Sequence, residues 1–232
     1  MQKFSLLPAV VLSLVSFISV GIQPVWADND AGFVSLFDGE TLDSWMPIGL
    51  GKAKFQVKDS AIYGKTAKGS PNTFLASKKQ YADFELHFDV KVHDKLNSGI
   101  QIRSRPKTKE EAKANGSDIG RIFGPQIEIE ASPGQAAYVY GEATGRGWLS
   151  PKPKDKSHSH HFMKNGEWNS FKIIAKGPRI QTWINGNMVE DLTDEEIYKT
   201  HPKGHLGLQV HGIGKKTGPF DVSWKNIKIK EL

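Results

Sequence analysis

Three segments of the chain carry unusual side chains on one face of a predicted β-strand. They are GPQIEIE at 124–130, SGIQIRSR at 98–105 and HLGLQVHG at 205–212. Side chains alternate along a strand with a period of two, so the apolar residues of each segment share one face and the polar residues share the other. The polar set comprises Gln101, Arg103, Arg105, Gln126, Glu128, Glu130, Gln209 and His211.

These groups differ from those of an ordinary solvent-facing strand, which are mostly Lys, Thr, Ser and Glu. Carboxylate, imidazole, guanidinium and amide groups together are typical of a site for binding or for acid–base chemistry. We therefore predict that the three strands are neighbours in one sheet and that their polar faces form a site. The prediction requires Arg103, Glu128 and His211 to line a single hollow.

Each of these residues also has a purely structural interpretation. Glu128 and Arg103 can form an ion pair across neighbouring strands. His211, next to a glycine, can end its strand with a hydrogen bond to the backbone. Glu130 lies at a strand end and suits a carboxylate at the rim of the site.

The rest of the chain predicts many short strands. Residues 83–92 (DFELHFDVKV) alternate strictly between apolar and polar side chains, and Asn185-Gly186 is a strong hairpin signal. Helical periodicity is almost absent, and there is no internal repeat or low-complexity linker. The pattern predicts an all-β fold, a two-sheet antiparallel β-sandwich, with long loops at 106–123 and 141–166.

The N-terminus predicts export. Residues 1–27 contain Lys3, an apolar run and a final Ala27, which is the layout of a signal peptide; the alternative is an uncleaved N-terminal anchor. Residues 28–232 form one predicted domain, expected in the periplasm or outside the cell and without a stable membrane span. The chain has no cysteine, so disulfides and thiolate metal sites are excluded.

Charge gives no indication of a nucleic-acid partner. The formal net charge is +6, and removal of Lys3 with the signal segment leaves +5. The lysines are scattered and no nucleic-acid-binding motif accompanies them.

The motifs, taken together, resemble the 3-keto-disaccharide hydrolase domain family. The matching pieces run in order through almost the whole chain after the signal segment. The resemblance implies a concanavalin A-like jelly roll with one concave sheet, and the predicted loops then lie over the concave face. It also implies a secreted carbohydrate-active enzyme that acts on a glycoside with a ketone at carbon 3. The pieces are LFDGETLDSW (36–45), DFELHFDVKV (83–92), NSGIQIRSR (97–105), GPQIEIE (124–130), GEWNSFKIIAKGPRIQTWINGNMVEDL (166–192), GHLGLQVHG (204–212) and VSWKNIKIKEL (222–232).

The implied chemistry assigns roles to the polar set. A 3-keto group acidifies the proton on carbon 2, so the site needs a general base and either an acid or a cation for the enolate oxygen, and the chemistry also allows a proton donor to the leaving oxygen. Glu128 or His211 suits the base, and Arg103 suits the cation. A divalent metal ion held by Glu128, His211 and oxygen ligands is another option for this role. The expected substrate-binding residues are Asn97, Gln101, Gln126, Arg146, Trp148 and Gln209.

Two other functions compete with this one. A non-catalytic carbohydrate-binding module on the same sandwich predicts aromatic platforms rather than clustered Arg, Glu and His. A retaining glucanase needs two carboxylates about 5 Å apart, and here no Asp lies between Glu128 and Glu130.

The three histidines of the second long loop suggest either a metal site or a solvated loop. These histidines are His158, His160 and His161.

Four tryptophans lie in apolar-patterned strands or turns and are predicted to belong to the core: Trp45, Trp168, Trp183 and Trp224.

Overall fold

The computed structural model of the chain describes residues 31–114, 120–131, 134–151, 158–215 and 218–232. The predicted signal peptide lies outside the described residues. In chain order the described elements are β1 (Val34–Ser35), β2 (Trp45–Ile48), β3 (Lys54–Lys58), β4 (Ala61–Lys65), β5 (Thr73–Tyr81), β6 (Phe84–Val92), β7 (Asn97–Pro106), α1 (Lys109–Ala114), β8 (Ile122–Glu130), β9 (Val139–Glu142), β10 (Gly147–Trp148), a 3-10 turn (Ser159–His161), β11 (Asn169–Lys176), β12 (Arg179–Ile184), β13 (Asn187–Thr193), α2 (Glu195–Thr200), β14 (Gly204–Val210) and β15 (Asp221–Glu231).

The strands form two antiparallel sheets, which confirms the predicted β-sandwich. Sheet 1 has the order β13-β12-β11-β6-β15-β4-β3, with β1 paired to β15. Sheet 2 has the order β10-β9-β8-β7-β14-β5-β2. The strands that carry the polar set, β8, β7 and β14, are consecutive in sheet 2, as predicted.

The main core lies between the two sheets. Strand β6 shows why, because its alternating apolar side chains from Phe84 to Val92 are all buried. Phe88 of this strand stacks on Phe171 of the neighbouring strand with ring centroids 5.3 Å apart. Sheet 2 contributes the isoleucines and leucines that alternate with the polar set, including Ile100, Ile127 and Leu208. Burial of these side chains is the principal favourable term for the fold.

A second, smaller apolar cluster lies on the opposite face of sheet 2, called here the outer face. Its buried members are Phe74, Ala76 and Ile122. Ile122 begins β8, directly after the connection from β7. At the end of this connection the chain passes close to Gly49, where an added Cβ would lie 3.8 Å from the carbonyl oxygen of Gly120. The end of the β7–β8 connection thus lies close to the residue that follows β2, the edge strand of sheet 2.

Two predicted core tryptophans lie elsewhere. Trp45 and Trp224 are buried in the core, with 3% and 0% of their surface exposed. Trp168 and Trp183 are only half-buried, and both lie on the outer side of sheet 1. Lysine side chains cover part of their rings: Lys172 Nζ lies 3.9 Å from the Trp183 ring centroid. Strand alternation accounts for both positions: Trp168 has the same parity as the half-buried Ser170, and Trp183 lies between the buried Thr182 and Ile184.

Both described α-helices have six residues, far below the roughly 20 that a membrane-spanning helix needs. The described part of the chain accordingly contains no candidate transmembrane helix.

Candidate functional site

Strand pairing brings most of the predicted polar set into two rows across the outer face of sheet 2. Residues directly opposite each other in an antiparallel pair point to the same face. In one row, Gln209 pairs with Gly99 and Gly99 pairs with Glu128. The neighbouring row contains Gly207, Gln101, Gln126, Tyr140 and Trp148.

The side chains of the two rows form a continuous hydrogen-bonded network, which we call the amide–carboxyl network. Gln126 lies at its centre: its Oε1 accepts hydrogen bonds from Nε2 of Gln101 and of Gln209, both at 2.9 Å. Its Nε2 donates to Oε1 of Glu128 at 2.5 Å. Asn97 Nδ2 donates to the other carboxyl oxygen of Glu128 at 2.8 Å, and Ser104 Oγ donates to Gln101 Oε1 at 2.5 Å.

The carboxylate sets the direction of every hydrogen bond in this network. An ionised Glu128 can only accept, so Gln126 must turn its NH₂ group toward it. The Oε1 of Gln126 then faces Gln101 and Gln209, which must present their own NH₂ groups. The amide orientations therefore follow from the chemistry of the carboxylate.

The absence of a side chain at Gly99 makes room for the network. A Cβ at this position would lie 2.6 Å from Cδ and 2.7 Å from Cγ of Gln126. The side chain of Gln126 therefore lies across the backbone of β7 at Gly99. Only glycine permits this approach without displacement of the central amide.

Glu128 is the titratable group of the network, and it is nearly completely buried, with 5% of its surface exposed. Burial raises the pKa of Glu128 to about 7, and the negative charges of Glu130 and Glu142 act in the same direction. The hydrogen bonds from Asn97 and Gln126 lower the pKa, because they favour the ionised form, but desolvation dominates. A carboxyl group of this kind exchanges its proton near neutral pH.

One buried acceptor of the network lacks a partner. Gln209 is fully buried, and its Oε1 has no hydrogen-bond partner among the described residues. An unsatisfied buried acceptor costs about 1–3 kcal/mol. A buried water molecule at this point would remove that cost.

Glu142 is a site residue that the sequence analysis missed. It ends β9, on the same face as Tyr140, and is buried with 5% exposure. Its Oε1 forms an ion pair with Nη2 of Arg121 and accepts a hydrogen bond from Asn72 Nδ2 at 3.4 Å. Strand alternation from Tyr140 would have predicted the position of Glu142, because the two residues are two apart.

Arg103 is not part of the site, and the prediction that it faces Glu128 is wrong. Its guanidinium is buried and donates to the carbonyl oxygens of Ala82 and Gly177 and to Asp83 Oδ1, the last at 2.8 Å. These partners belong to the loops at one end of sheet 1. The register of β7 shifts between Gln101 and Arg105, and Arg103 adopts a φ of 47°. This bulge reverses the alternation from which its face was predicted. Arg105 also lies away from the site: its guanidinium binds the carboxylate of Glu111 in α1.

His211 follows the last residue of β14 and is half-buried. Its Nδ1 lies 2.8 Å from the carbonyl oxygen of Gly212, which places the proton on Nδ1 and leaves the lone pair on Nε2. This backbone hydrogen bond is the structural alternative proposed for His211. No described contact joins His211 to Glu128, so the two side chains are not a hydrogen-bonded pair.

The metal option for Glu128 and His211 does not fit the described residues. Both carboxyl oxygens of Glu128 already face amide N–H donors, which repel a cation. Among the described residues, no group of three or more His, Asp or Glu side chains is arranged to hold a metal ion.

The remaining predicted substrate-binding residues take different positions. Trp148 is 41% exposed at the edge of sheet 2 and packs edge-on against Tyr140, with ring centroids 5.2 Å apart. Arg146 lies in the turn before β10 and bonds Asp194 Oδ1, the N-cap of α2, at 2.9 Å. It ties this hairpin to α2 instead of entering the network. Glu130, at the strand end, accepts a hydrogen bond from the backbone N–H of Gln135 at 3.2 Å, in agreement with a rim position.

Solved structures share the fold. A candidate glycosyl hydrolase from Parabacteroides distasonis superimposes with a TM-score of 0.59 at 21% identity, over 87% of this chain and 94% of that chain. The carbohydrate-binding module CBM66 from Bacillus subtilis gives a TM-score of 0.53 at 14% identity, over 81% of this chain and 96% of that chain. A protein with a galectin-like fold from Bacillus subtilis gives a TM-score of 0.52 at 10% identity, over 81% of this chain and 89% of that chain. At these identities the similarity shows the fold alone.

No curated protein matches the sequence. The 3-keto-alpha-glucoside-1,2-lyase-like domain does match, over residues 32–230. This match spans both sheets, from β1 to the last strand, and includes every member of the amide–carboxyl network. The motifs quoted above indicated the same family. The chain therefore belongs to the 3-keto-alpha-glucoside-1,2-lyase-like domain family.

Proposed function

We propose that the protein is a carbohydrate-active enzyme that cleaves 3-keto-glycosides by elimination across C1 and C2, followed by hydration. The family and the sandwich fold support a carbohydrate-related function. The observation that carries the catalytic proposal is Glu128, a buried carboxyl group with a pKa of about 7 on the outer face of sheet 2. A general base works best when its pKa is near the operating pH.

The proposed reaction has two stages that balance. The carboxylate of Glu128 removes the proton from C2, and the electrons pass to the C3 oxygen as an enolate. The enolate re-forms the ketone, a C1–C2 double bond appears, and the C1–O bond breaks to release the aglycone, whose oxygen takes a proton from solvent. Water then adds its hydroxyl group to C1 and returns its other proton to solvent, while C2 takes a proton from Glu128, whose carboxyl group has exchanged with solvent in the meantime. The sum is hydrolysis of the glycosidic bond.

The amide–carboxyl network orients the base. Asn97 and Gln126 hold one oxygen each of Glu128, so the carboxyl plane has a defined direction. Gln126 is held in turn by Gln101 and Gln209.

Arg121 takes the role for which the sequence suggested Arg103. The charge of Glu142, which pairs with Arg121, acts on the pKa of Glu128. Arg121 also acts on buried Lys107, whose pKa is lowered first by burial and then by the arginine charge. Arg121 and Lys107 thus both act on Glu142, the carboxylate next to the network, and from there we assign them to the enolate oxygen.

A non-catalytic carbohydrate-binding module is the second candidate. The pair of Tyr140 and Trp148 favours it, because an exposed aromatic ring beside a polar network can stack on a sugar ring. Under the enzymatic proposal the same pair binds the part of the substrate outside the reacting sugar.

The decisive test compares a 3-keto-glucoside with its unoxidised parent in D₂O. The purified protein should consume only the keto sugar and place deuterium at C2 of the product, as followed by NMR. Glu128→Gln should reduce turnover by about 10²–10⁴-fold, the usual contribution of a general base. Arg121→Met should reduce it by a smaller factor.

Glu190→Gln is the matched control, because Glu190 is a buried carboxyl, 9% exposed against 5% for Glu128, and lies on sheet 1 away from the network. It should retain wild-type turnover. Binding of the keto sugar without turnover would favour the binding module. Turnover by Glu128→Gln at the wild-type rate would reject Glu128 as the base.

We propose that the enzyme acts after export. The signal-like segment of residues 1–27 supports this location. N-terminal sequencing of the protein recovered from the periplasm or the medium should begin near Asp28, whereas recovery with the membrane fraction would support an uncleaved anchor.

A further inference from the structure

The outer side of sheet 1 contains two adjoining depressions around Trp168. The larger has a volume of about 750 Å³ and the smaller about 410 Å³. Lys91, Trp168 and Lys225 line both depressions, so the two meet at the indole ring. Volumes of this size are typical of small-molecule binding sites. Sheet 2, with the amide–carboxyl network, lies on the opposite side of the core.

The floor of the larger depression is an ordered polar surface. Asp89 has 9% of its surface exposed, and both of its oxygens are held. Ser170 Oγ donates to Oδ1 at 2.5 Å, and Asn226 Nδ2 donates to Oδ2 at 2.6 Å. A carboxylate held in this way can accept further hydrogen bonds from hydroxyl groups, since each oxygen has two lone pairs.

The smaller depression has the same chemistry. Tyr63 contributes a second aromatic ring, and its hydroxyl lies 3.2 Å from Asp221 Oδ2. Ser223, on the adjacent β15, adds a hydroxyl to the same wall. The two depressions thus contain two aromatic rings, Trp168 and Tyr63, in walls that also carry carboxylates. A lysine lies over one face of each ring: Lys225 Nζ is 4.3 Å from the Trp168 ring centroid and Lys58 Nζ is 5.1 Å from that of Tyr63.

Charge balance favours a neutral ligand. Four lysines and four acidic residues line the two depressions together, so their formal charges cancel. They are Lys58, Lys91, Lys164, Lys225, Asp59, Asp89, Asp221 and Glu167. An acidic polymer would meet as many carboxylates as ammonium groups, whereas a sugar chain uses both as hydrogen-bond partners and stacks its apolar faces on aromatic rings.

We propose that this surface is a second carbohydrate-binding site, in which a neutral linear oligosaccharide lies across Trp168 and spans both depressions. It holds the protein on an extended glycan while the outer face of sheet 2 remains free. The proposal is independent of the chemistry proposed for Glu128.

The test titrates the ¹⁵N-labelled protein with cellohexaose and, separately, with maltohexaose. At least one of them should shift the indole N–H resonance of Trp168 together with backbone resonances of β15. Trp168→Ala should weaken that binding at least tenfold. Trp183→Ala is the matched control, because Trp183 lies on the same side of sheet 1 but lines neither depression, and it should bind like the wild type.

Two further variants separate this site from other effects. Asn187 is exposed and lines the larger depression, so Asn187→Trp should obstruct binding even if Trp168→Ala proves unstable. Trp148→Ala alters only the edge of sheet 2 and should leave the Trp168 shift intact. No shift of Trp168 with either hexasaccharide would overturn the proposal, as would equal losses in Trp168→Ala and Trp183→Ala.

Discussion

Replacement of Glu128 by glutamine should change how the stability of the protein depends on pH. The folded protein holds the proton of Glu128 with a pKa of about 7, against an ordinary value of 4.5. Between pH 4.5 and pH 7, Glu128 retains its proton in the folded state but has lost it in the unfolded chain. The contribution of Glu128 to stability is therefore fully present below pH 4.5 and is lost as the pH rises toward 7.

The size of the effect follows from the two pKa values. One pKa unit corresponds to about 1.4 kcal/mol, so the rise from 4.5 to about 7 corresponds to about 3 kcal/mol. Glutamine is neutral at every pH and has no such dependence. The difference in unfolding free energy, Glu128→Gln minus wild type, should thus increase by about 3 kcal/mol between pH 4.5 and pH 8.

Urea denaturation at half-unit steps from pH 4.5 to pH 8, on both proteins, measures this difference. Other titrating groups cancel in it, because they are common to both proteins. A constant offset is expected from the new amide, which faces the donors of Asn97 and Gln126, but an offset does not depend on pH.

The outcome that refutes the reasoning is a difference that stays flat within about 0.5 kcal/mol or falls as the pH rises. Either result would mean that Glu128 is ionised in the folded protein at pH 5 and that the amide donors outweigh desolvation. The case for Glu128 as a base with a pKa near neutrality would then fail too.

Four other substitutions test the structure in different ways. Gly99→Ala should displace the central amide of the network, with a loss of about 1–3 kcal/mol in urea unfolding and a fall in turnover. Arg103→Met should cost about 3–5 kcal/mol in the same assay, because it leaves a carboxylate and two carbonyl groups without their buried partner. Glu111, whose pKa is lowered to about 2 mainly by its hydrogen bond to an arginine, should behave oppositely to Glu128: Glu111→Gln should destabilise the protein at pH 7, and the difference should shrink as the pH falls below 4.5. Asp194→Ala should cost about 1–2 kcal/mol through loss of the α2 cap; an unchanged midpoint would contradict that role.

Local sequence patterns predicted the sandwich because they report burial directly. The strict alternation of residues 83–92 could only describe a strand with one face in a core. The same logic predicted that Gln126, Glu128 and Gln209 share a face, and strand pairing confirms it. Alternation requires an unbroken strand, however, and it failed at Arg103, where one extra residue in β7 reverses the side-chain direction. Nothing in SGIQIRSR marks that bulge.

The sequence by itself determined the family, the two-sheet fold and the segments that carry the polar groups, because these depend on residue types and on a period of two along each strand. Only the tertiary structure decided which groups meet. Gln126 reaches Glu128 because Gly99 on the neighbouring strand has no side chain, and Glu142 joins the site because β9 pairs with β8, whose preceding residue Arg121 binds its carboxylate. The pKa of Glu128 depends on its burial, which is a property of the packed fold and of no single segment.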